Sequence, residues 1–70
     1  HLGIDFAAPI GTPVHAAGDG KVIFAGRKGG YGNCIIIRHT NGYKTLYGHL
    51  RKFARGIRRG RYVKKGKTIG

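Results

Sequence analysis

The chain opens on a histidine and an aspartate four residues apart, in the stretch HLGIDF. An imidazole nitrogen and a carboxylate oxygen are ligands that suit zinc, at about 2.0 to 2.2 Å. In a straight strand His1 and Asp5 would point the same way but lie about 13 Å apart, too far for one cation. A bend at Gly3 would bring them together, since glycine tolerates the backbone angles of a tight turn. Their spacing therefore leaves two interpretations open: a metal pair, or a terminal histidine and a turn aspartate with no shared role.

The other histidines and the second acid are weaker candidates for chemistry. His49, in LYGHL, follows a glycine at the end of a predicted strand, where sites are usually assembled, although a lone histidine there is more often structural. We expect structural or surface roles for His15 and His39. Asp19 lies in GDG, and aspartate and glycine are the residues that a tight turn demands.

Charge and cysteine content limit the class of protein. The 70 residues carry 14 Lys and Arg against 2 Asp and Glu, a formal net charge of +12, so an anionic partner or surface is expected. The single cysteine, Cys34, excludes an internal disulfide and a thiolate zinc cage. No apolar run approaches the ~20 residues of a membrane span. The length of the chain allows one small hydrophobic core.

Glycine-bounded runs of β-branched and aromatic residues predict an all-β protein with a small antiparallel sheet or sandwich. The 14 glycines and the lack of a helical period argue against long helices. The predicted strands span residues 14–17, 20–26, 33–39 and 43–50. Turns are predicted at GDG and at residues 65 and 66, the latter between two further short strands.

The dipeptide Asn41 and Gly42 predicts the turn of a β-hairpin, because it supplies the positive φ angles of a type I′ turn. A loop of these two residues predicts four cross-strand pairs: Thr40 with Tyr43, Arg38 with Thr45, Ile36 with Tyr47, and Cys34 with His49. Side chains alternate along a strand, so His39 and His49 then lie on opposite faces. These two histidines are therefore not expected to serve one site.

Residues 51–70 carry nine of the fourteen basic residues and no acid. Blocks of like charge are most often solvated or disordered. Five apolar or aromatic residues are interleaved with the charges here: Phe53, Ile57, Tyr62, Val63 and Ile69. This pattern predicts an ordered, irregular segment followed by a strand, with apolar side chains packed and charges facing out.

The chain resembles the lysostaphin-like zinc endopeptidases, which cut peptide cross-links in bacterial peptidoglycan. Three stretches carry the resemblance in that family's order and spacing: HLGIDFAAPIGTPVHAAGDGKV, GGYGNCIIIRHTNGYKTLYGHL and VKKGKTIG. The resemblance spans essentially the whole chain and implies a β-sheet fold, of the duplicated hybrid motif type, with zinc in a groove on a large antiparallel sheet. It also implies that His1 and Asp5 are zinc ligands and that His49 is a catalytic residue beside the metal.

One departure from the family concerns a downstream H-x-H segment, which supplies the remaining zinc ligand and a second catalytic histidine. The sequence stops at Gly70 before any such segment, and His15 or His39 would have to take the ligand's place. A catalytic zinc normally has three protein ligands and one open position. We therefore expect residues 1–70 to form one incomplete peptidase domain that, alone, binds zinc weakly and cuts poorly or not at all.

The resemblance implies metal-assisted amide hydrolysis in the cell envelope, by a periplasmic, membrane-anchored or secreted protein. Peptidoglycan cross-links are the implied substrate, and the basic run fits anionic cell-wall polymers. The main alternative is a non-catalytic relative that binds cell wall or regulates another hydrolase. A basic β domain that binds nucleic acid is less favoured, because no aromatic-rich RNA-binding signature is present. A lipoyl- or biotinyl-type carrier domain is disfavoured, because no lysine lies at a hairpin tip in the expected motif.

Overall fold

The computed structural model describes residues 3–6 and 10–70, which form a single five-stranded sheet and almost no helix. The strands are β1 (Gly3–Phe6), β2 (Gly20–Arg27), β3 (Asn33–Arg38), β4 (Lys44–Tyr47) and β5 (Tyr62–Val63). Their order across the sheet is β1-β4-β3-β2-β5, and a single 3-10 turn (Gly29–Tyr31) lies between β2 and β3. The all-β prediction is confirmed. No helix in the described ranges is long and apolar enough to cross a membrane.

The sheet is mixed rather than wholly antiparallel. Strands β2, β3, β4 and β5 pair antiparallel, whereas β1 pairs with β4 in parallel and places Asp5 opposite Leu46. Parallel neighbours need a long connection, and the chain from β1 to β4 provides one because it includes β2 and β3. The strand predicted at residues 14–17 is reduced to an isolated bridge between His15 and Thr68.

The β3–β4 hairpin has a register one residue away from the predicted one. Its observed pairs are Arg38 with Lys44, Ile37 with Thr45, Ile36 with Leu46, and Ile35 with Tyr47. The loop holds three residues rather than two, because the backbone N–H of His39 donates to the carbonyl of Tyr43 at 2.8 Å. Gly42, with φ of 84°, ends this loop in the left-handed conformation that such three-residue hairpins use. The predicted register is therefore wrong, and the faces of β4 are exchanged relative to β3.

One face of the sheet carries the hydrophobic core. Strands β2, β3 and β4 contribute Val22, Ile35, Ile37 and Tyr47, all at most 1% exposed. The rest of this core comes from Val63 of β5 and from four residues in segments without regular structure: Ala16, Leu50, Ile57 and Ile69. A chain of this size has little apolar surface to bury, so these irregular segments are needed to close the core.

The basic segment 51–70 is ordered as predicted, with irregular structure followed by a short strand. Ile57, Val63 and Ile69 are buried and Phe53 is half-buried, while all nine basic side chains are exposed. Tyr62 does not join them: its side chain is 72% exposed, with the ammonium of Lys21 at 5.7 Å from its ring. The interleaved pattern therefore marks an ordered segment, but it does not identify every buried residue.

Backbone hydrogen bonds fasten this segment to the rest of the molecule. The amide of Val14 donates to the carbonyl of Gly70 at 3.0 Å, and the amide of Ile69 donates back to Val14 at 2.8 Å. The side chain of Asp19 accepts a bond of 2.7 Å from the amide of Lys65. The turn expected at GDG is present, and its aspartate joins the 17–19 bend to the turn at residues 65 and 66.

Candidate active site

The face of the sheet opposite the core forms a shallow groove. Asp5, Leu46 and Ile36 lie side by side across β1, β4 and β3, so their side chains share this face. An irregularity in the β2–β3 pairing between Val22 and Phe24 brings Ile23 to the groove as well. The groove therefore has a half-buried aliphatic floor with an exposed carboxylate near its β1 side.

Two lysines also line this groove. Lys44 lies at the start of β4 and Lys28 follows the end of β2. The ammonium group of Lys28 lies 5.4 Å from the centre of the Phe24 ring. Among the described residues neither lysine forms a salt bridge, so their charges are not neutralised by Asp5. The groove thus combines an apolar floor with a predominantly positive rim.

Asp5 is held by a tyrosine from the loop between β2 and β3. The hydroxyl of Tyr31 donates to Oδ2 of Asp5 at 3.2 Å. The negative charge of Asp5 and this hydrogen bond together raise the pKa of the Tyr31 hydroxyl, so the phenol keeps its proton and remains the donor. Sequence reasoning did not identify Tyr31. The signal available was an aromatic residue between glycines, in GGYG.

The loop that presents Tyr31 is built on glycine. The φ angles of Gly29 and Gly32 are +47° and +64°, values that side chains other than glycine rarely adopt. The amide of Tyr31 donates to the carbonyl of Lys28 at 2.9 Å, and the amide of Lys28 donates to Gly32 at 2.9 Å. These bonds close a tight turn that fixes the tyrosine above the groove face.

His49 follows β4 and meets the same tyrosine. Its backbone amide donates to the carbonyl of Tyr31 at 2.7 Å, and its side chain is exposed. Its φ of 57° is the one positive value among the described residues other than glycine. Histidine adopts this left-handed conformation more readily than most residues, and strained backbone angles cluster at functional sites. The conformation is therefore a second feature, independent of the sequence motif, that makes His49 a candidate functional residue.

The glycine before His49 allows the tyrosine to approach. A Cβ atom placed on Gly48 would lie 3.1 Å from Cδ1 of Tyr31 and 3.5 Å from its carbonyl oxygen. The first of these distances is tighter than an ordinary van der Waals contact. Tyr31 is thus in contact with the chain at residues 48 and 49 through its ring and backbone, and with Asp5 through its hydroxyl.

His39 and His15 lie away from this groove. Nδ1 of His39 is 2.7 Å from the carbonyl oxygen of Asp19, which can only accept, so Nδ1 carries the proton. Nε2 then accepts from the hydroxyl of Thr45 at 2.8 Å. Both ring nitrogens are occupied, so His39 does not supply a metal ligand. His15 is exposed at its bridge to Thr68.

The chemistry of Asp5 fits a metal ligand. His1 lies outside the described residues. Within the described ranges no three His, Cys, Asp or Glu residues are close enough to hold a metal ion. Asp5 is exposed, and the bond from Tyr31 engages one carboxylate oxygen only. Carboxylates that bind a metal are themselves commonly hydrogen-bonded to neighbouring residues.

Comparison with known proteins places the chain in a family. The model of peptidase family M23 matches residues 1–70. The DD-carboxypeptidase/endopeptidase Mpg of Neisseria meningitidis is 56% identical over 70 residues, which cover 100% of this chain and 16% of that protein. The peptidoglycan DD-endopeptidase ShyB of Vibrio cholerae is 46% identical over 69 residues, or 99% of this chain and 16% of its own length.

A lipoprotein is also among the similar proteins. The uncharacterized lipoprotein YgeR of Escherichia coli is 46% identical over 68 residues, covering 96% of this chain and 26% of that protein. The chain spans about a sixth of the length of Mpg and ShyB, 16% in each case. Since the family model covers every residue, the resemblance noted in the sequence is confirmed: the chain belongs to peptidase family M23, the lysostaphin-like peptidases.

Proposed function

We propose that the protein is a zinc-dependent endopeptidase that hydrolyses peptide cross-links of bacterial peptidoglycan in the cell envelope. The family match over residues 1–70 is the observation that carries this proposal. The names of Mpg and ShyB, which describe endopeptidases, support the reaction, and the name of ShyB supports the substrate. The lipoprotein name of YgeR supports an envelope location.

In this proposal His1 and Asp5 hold the zinc ion. A bound zinc ion would polarise the scissile carbonyl and make water nucleophilic near neutral pH. The Asp5 carboxylate supplies negative charge in a groove that is otherwise basic, which favours a cation at this position. The bond from Tyr31 leaves the other carboxylate oxygen of Asp5 available to the metal.

His49 is proposed as the catalytic residue beside the metal. Its exposed ring can reach a substrate, and its amide bond to Tyr31 ties it to the residue that also holds Asp5. The imidazole would orient or deprotonate the attacking water, or stabilise the oxyanion that forms. General acid–base assistance of this kind contributes about 10²- to 10⁴-fold to a rate.

The groove is suited to an extended peptide substrate. Its aliphatic floor of Ile23, Ile36 and Leu46 offers apolar contact, and Lys28 and Lys44 offer two ammonium groups to carboxylates of the peptide. The exposed bases of residues 51–70 extend the positive surface and support our expectation of anionic cell-wall polymers as partners. Electrostatic steering between opposite charges raises association rates and is weakened by salt.

Three variants of the full-length protein test the assignment. Asp5→Asn should lose both zinc and turnover. His49→Ala should keep zinc but lower turnover by about 10²- to 10⁴-fold. His15→Ala is the matched control, because His15 is also exposed but lies at the bridge to Thr68, and it should change neither quantity. Zinc content is measured on the purified proteins and turnover on isolated peptidoglycan.

Two results would contradict the proposal. Unchanged turnover in His49→Ala would remove His49 from the mechanism, and full zinc content in Asp5→Asn would remove Asp5 from the metal site. A wild-type protein that binds isolated peptidoglycan but releases no soluble peptide would instead support the non-catalytic, wall-binding alternative.

A further inference from the structure

The β2–β3 loop contributes a residue to the candidate site that neither the spacing nor the family resemblance assigned. Tyr31 lies 26 positions after Asp5 and 18 before His49, yet it is bonded to both. The Tyr31 hydroxyl donates to the carboxylate of Asp5, and the Tyr31 carbonyl accepts from the backbone amide of His49. The two groups of the proposed site are therefore connected by one residue.

We propose that Tyr31 is a positioning residue, which orients the Asp5 carboxylate for the metal through its hydroxyl and fixes the His49 backbone through its carbonyl. This inference rests on the proposed function, since it takes Asp5 as a zinc ligand. It concerns a residue that hydrogen-bonds to the metal ligand, not a residue that binds the metal itself. Hydrogen bonds of this kind set the orientation of a metal ligand, and losing one typically costs 10- to 100-fold in metal affinity or activity.

The surrounding structure restrains Tyr31 from three directions. The tight turn with positive φ angles at Gly29 and Gly32 fixes its backbone. Its ring lies beside Gly48, so close that a Cβ atom at that position would be 3.1 Å from Cδ1. The amide of His49 holds its carbonyl at 2.7 Å. A side chain restrained in this way can hold a carboxylate in one orientation, whereas a freely rotating tyrosine could not.

The contact with Tyr31 also stabilises the backbone conformation of His49. A left-handed backbone at a residue other than glycine persists only where surrounding contacts impose it. The bond from the His49 amide to Tyr31, followed by that from the Leu50 amide to the carbonyl of Asn33 at 3.0 Å, provides those contacts. The side chain of Asn33 also donates to the carbonyl of Leu50 at 3.0 Å. The turn at residues 48–50 is thus held against the start of β3 and its preceding loop.

The test is Tyr31→Phe, which removes the hydroxyl and keeps the ring and the carbonyl. The matched control is Tyr43→Phe: Tyr43 is 40% exposed and Tyr31 is 38% exposed, but the hydroxyl of Tyr43 makes no hydrogen bond to the described residues. Both variants are made in the full-length protein, with Asp5→Asn alongside. Zinc dissociation constants are measured by competition with a chelator, and the visible spectrum of the cobalt-substituted protein reports the geometry of the metal.

Tyr31→Phe should weaken zinc binding about 10-fold or more and change the cobalt spectrum, while its thermal unfolding temperature stays near that of wild type. Tyr43→Phe should leave affinity and spectrum unchanged. Excess zinc should restore most of the turnover of Tyr31→Phe, because the defect lies in holding the metal, but it should not restore His49→Ala. A purely structural role for Tyr31 would give no such rescue.

The outcomes separate this inference from the proposed function. If Asp5→Asn loses zinc while Tyr31→Phe matches wild type in affinity and spectrum, the positioning role is wrong and the proposed function stands. If Asp5→Asn binds zinc like wild type, or the wild-type protein binds none, the metal assignment itself fails and the inference fails with it.

Discussion

His39 and Thr45 face each other across the β3–β4 hairpin, with Nε2 of the histidine 2.8 Å from the threonine hydroxyl. That hydroxyl also lies 2.7 Å from the hydroxyl of Tyr47, which in turn accepts a bond of 3.0 Å from the amide of Ala17. With the bond from His39 to Asp19, this chain of hydrogen bonds links the hairpin to the 17–19 bend. Thr45 is buried, so its polar neighbours depend on it rather than on water.

Replacing Thr45 with valine should therefore destabilise the fold by about 1 to 3 kcal/mol, the cost of leaving a buried polar partner without its bond. Valine has nearly the same shape, so little of the effect would come from packing. The control is Thr68→Val, at an exposed position beside His15. Urea unfolding monitored by circular dichroism gives both free energies, and equal values for the two variants would show that the network contributes nothing.

The three-residue hairpin loop is tested at Gly42. An alanine there would have open space around its Cβ but would be strained by the φ of 84°. We expect Gly42→Ala to cost about 1 kcal/mol and Gly42→Asn to cost less, because asparagine adopts the left-handed conformation more easily. Gly30→Ala is the control, since it is equally open but has no positive φ. A loss as large for Gly30→Ala, measured by thermal unfolding, would contradict the conformational explanation.

The backbone of His49 predicts a conflict between stability and activity. Glycine tolerates a φ of 57° without a steric cost, so His49→Gly should be as stable as wild type or more stable by up to about 1 kcal/mol. It should nevertheless lose turnover, which is also the outcome expected for His49→Ala. Unfolding temperature and peptidoglycan hydrolysis are compared for the two variants. A clear loss of stability in His49→Gly would mean that the imidazole itself stabilises the turn.

Cys34 predicts how stability changes at alkaline pH. Burial raises the pKa of its thiol above the ordinary value of 9.0, although the nearby Lys28 acts in the opposite direction. In the unfolded chain the thiol ionises at its ordinary pKa, while in the folded chain it stays neutral. The unfolded state therefore binds fewer protons above about pH 9, and this contribution to stability, fully present below that pH, is lost as pH rises.

The measurement is the unfolding temperature of wild type and Cys34→Ala from pH 7 to pH 10. The alanine variant is expected to be less stable throughout, because Cys34 is fully buried. The informative quantity is the slope: wild type should fall more steeply above about pH 9. Parallel curves would show that the thiol does not contribute to the alkaline loss.

The sequence predicted where the strands lie along the chain better than how they pair in the sheet. The runs at 20–26 and 33–39 became β2 and β3 because glycine-bounded β-branched runs carry a local signal. The hairpin register was wrong because Asn41 and Gly42 fit both a two-residue loop and a three-residue loop with Gly42 left-handed. The parallel pairing of β1 with β4 joins residues about forty positions apart, and no local pattern encodes such a contact.

The site residues likewise divide into those that a sequence motif identifies and those that only the folded arrangement brings together. Asp5 and His49 were identifiable from motifs, and the structure connects them through Tyr31. The role of Asp5 in binding metal and that of His49 in catalysis stay predictions. The role of His1, which lies outside the described residues, also stays a prediction. Tyr31 was missed because its role depends on a loop geometry that folds it back over β1 and the turn after β4. A contact between three separate segments has no periodic signature in the sequence.

The exposed lysines and arginines of residues 51–70 allow proteolysis to report how this segment is held in the folded state. Trypsin cuts after lysine and arginine, and nine such residues lie in this segment, whose regular structure is limited to the short strand β5 and the bridge at Thr68. The backbone between them is nevertheless anchored by Ile57, Val63 and Ile69 in the core. Cleavage there requires local release of those anchors, so resistance to trypsin measures how firmly residues 51–70 are docked against the sheet.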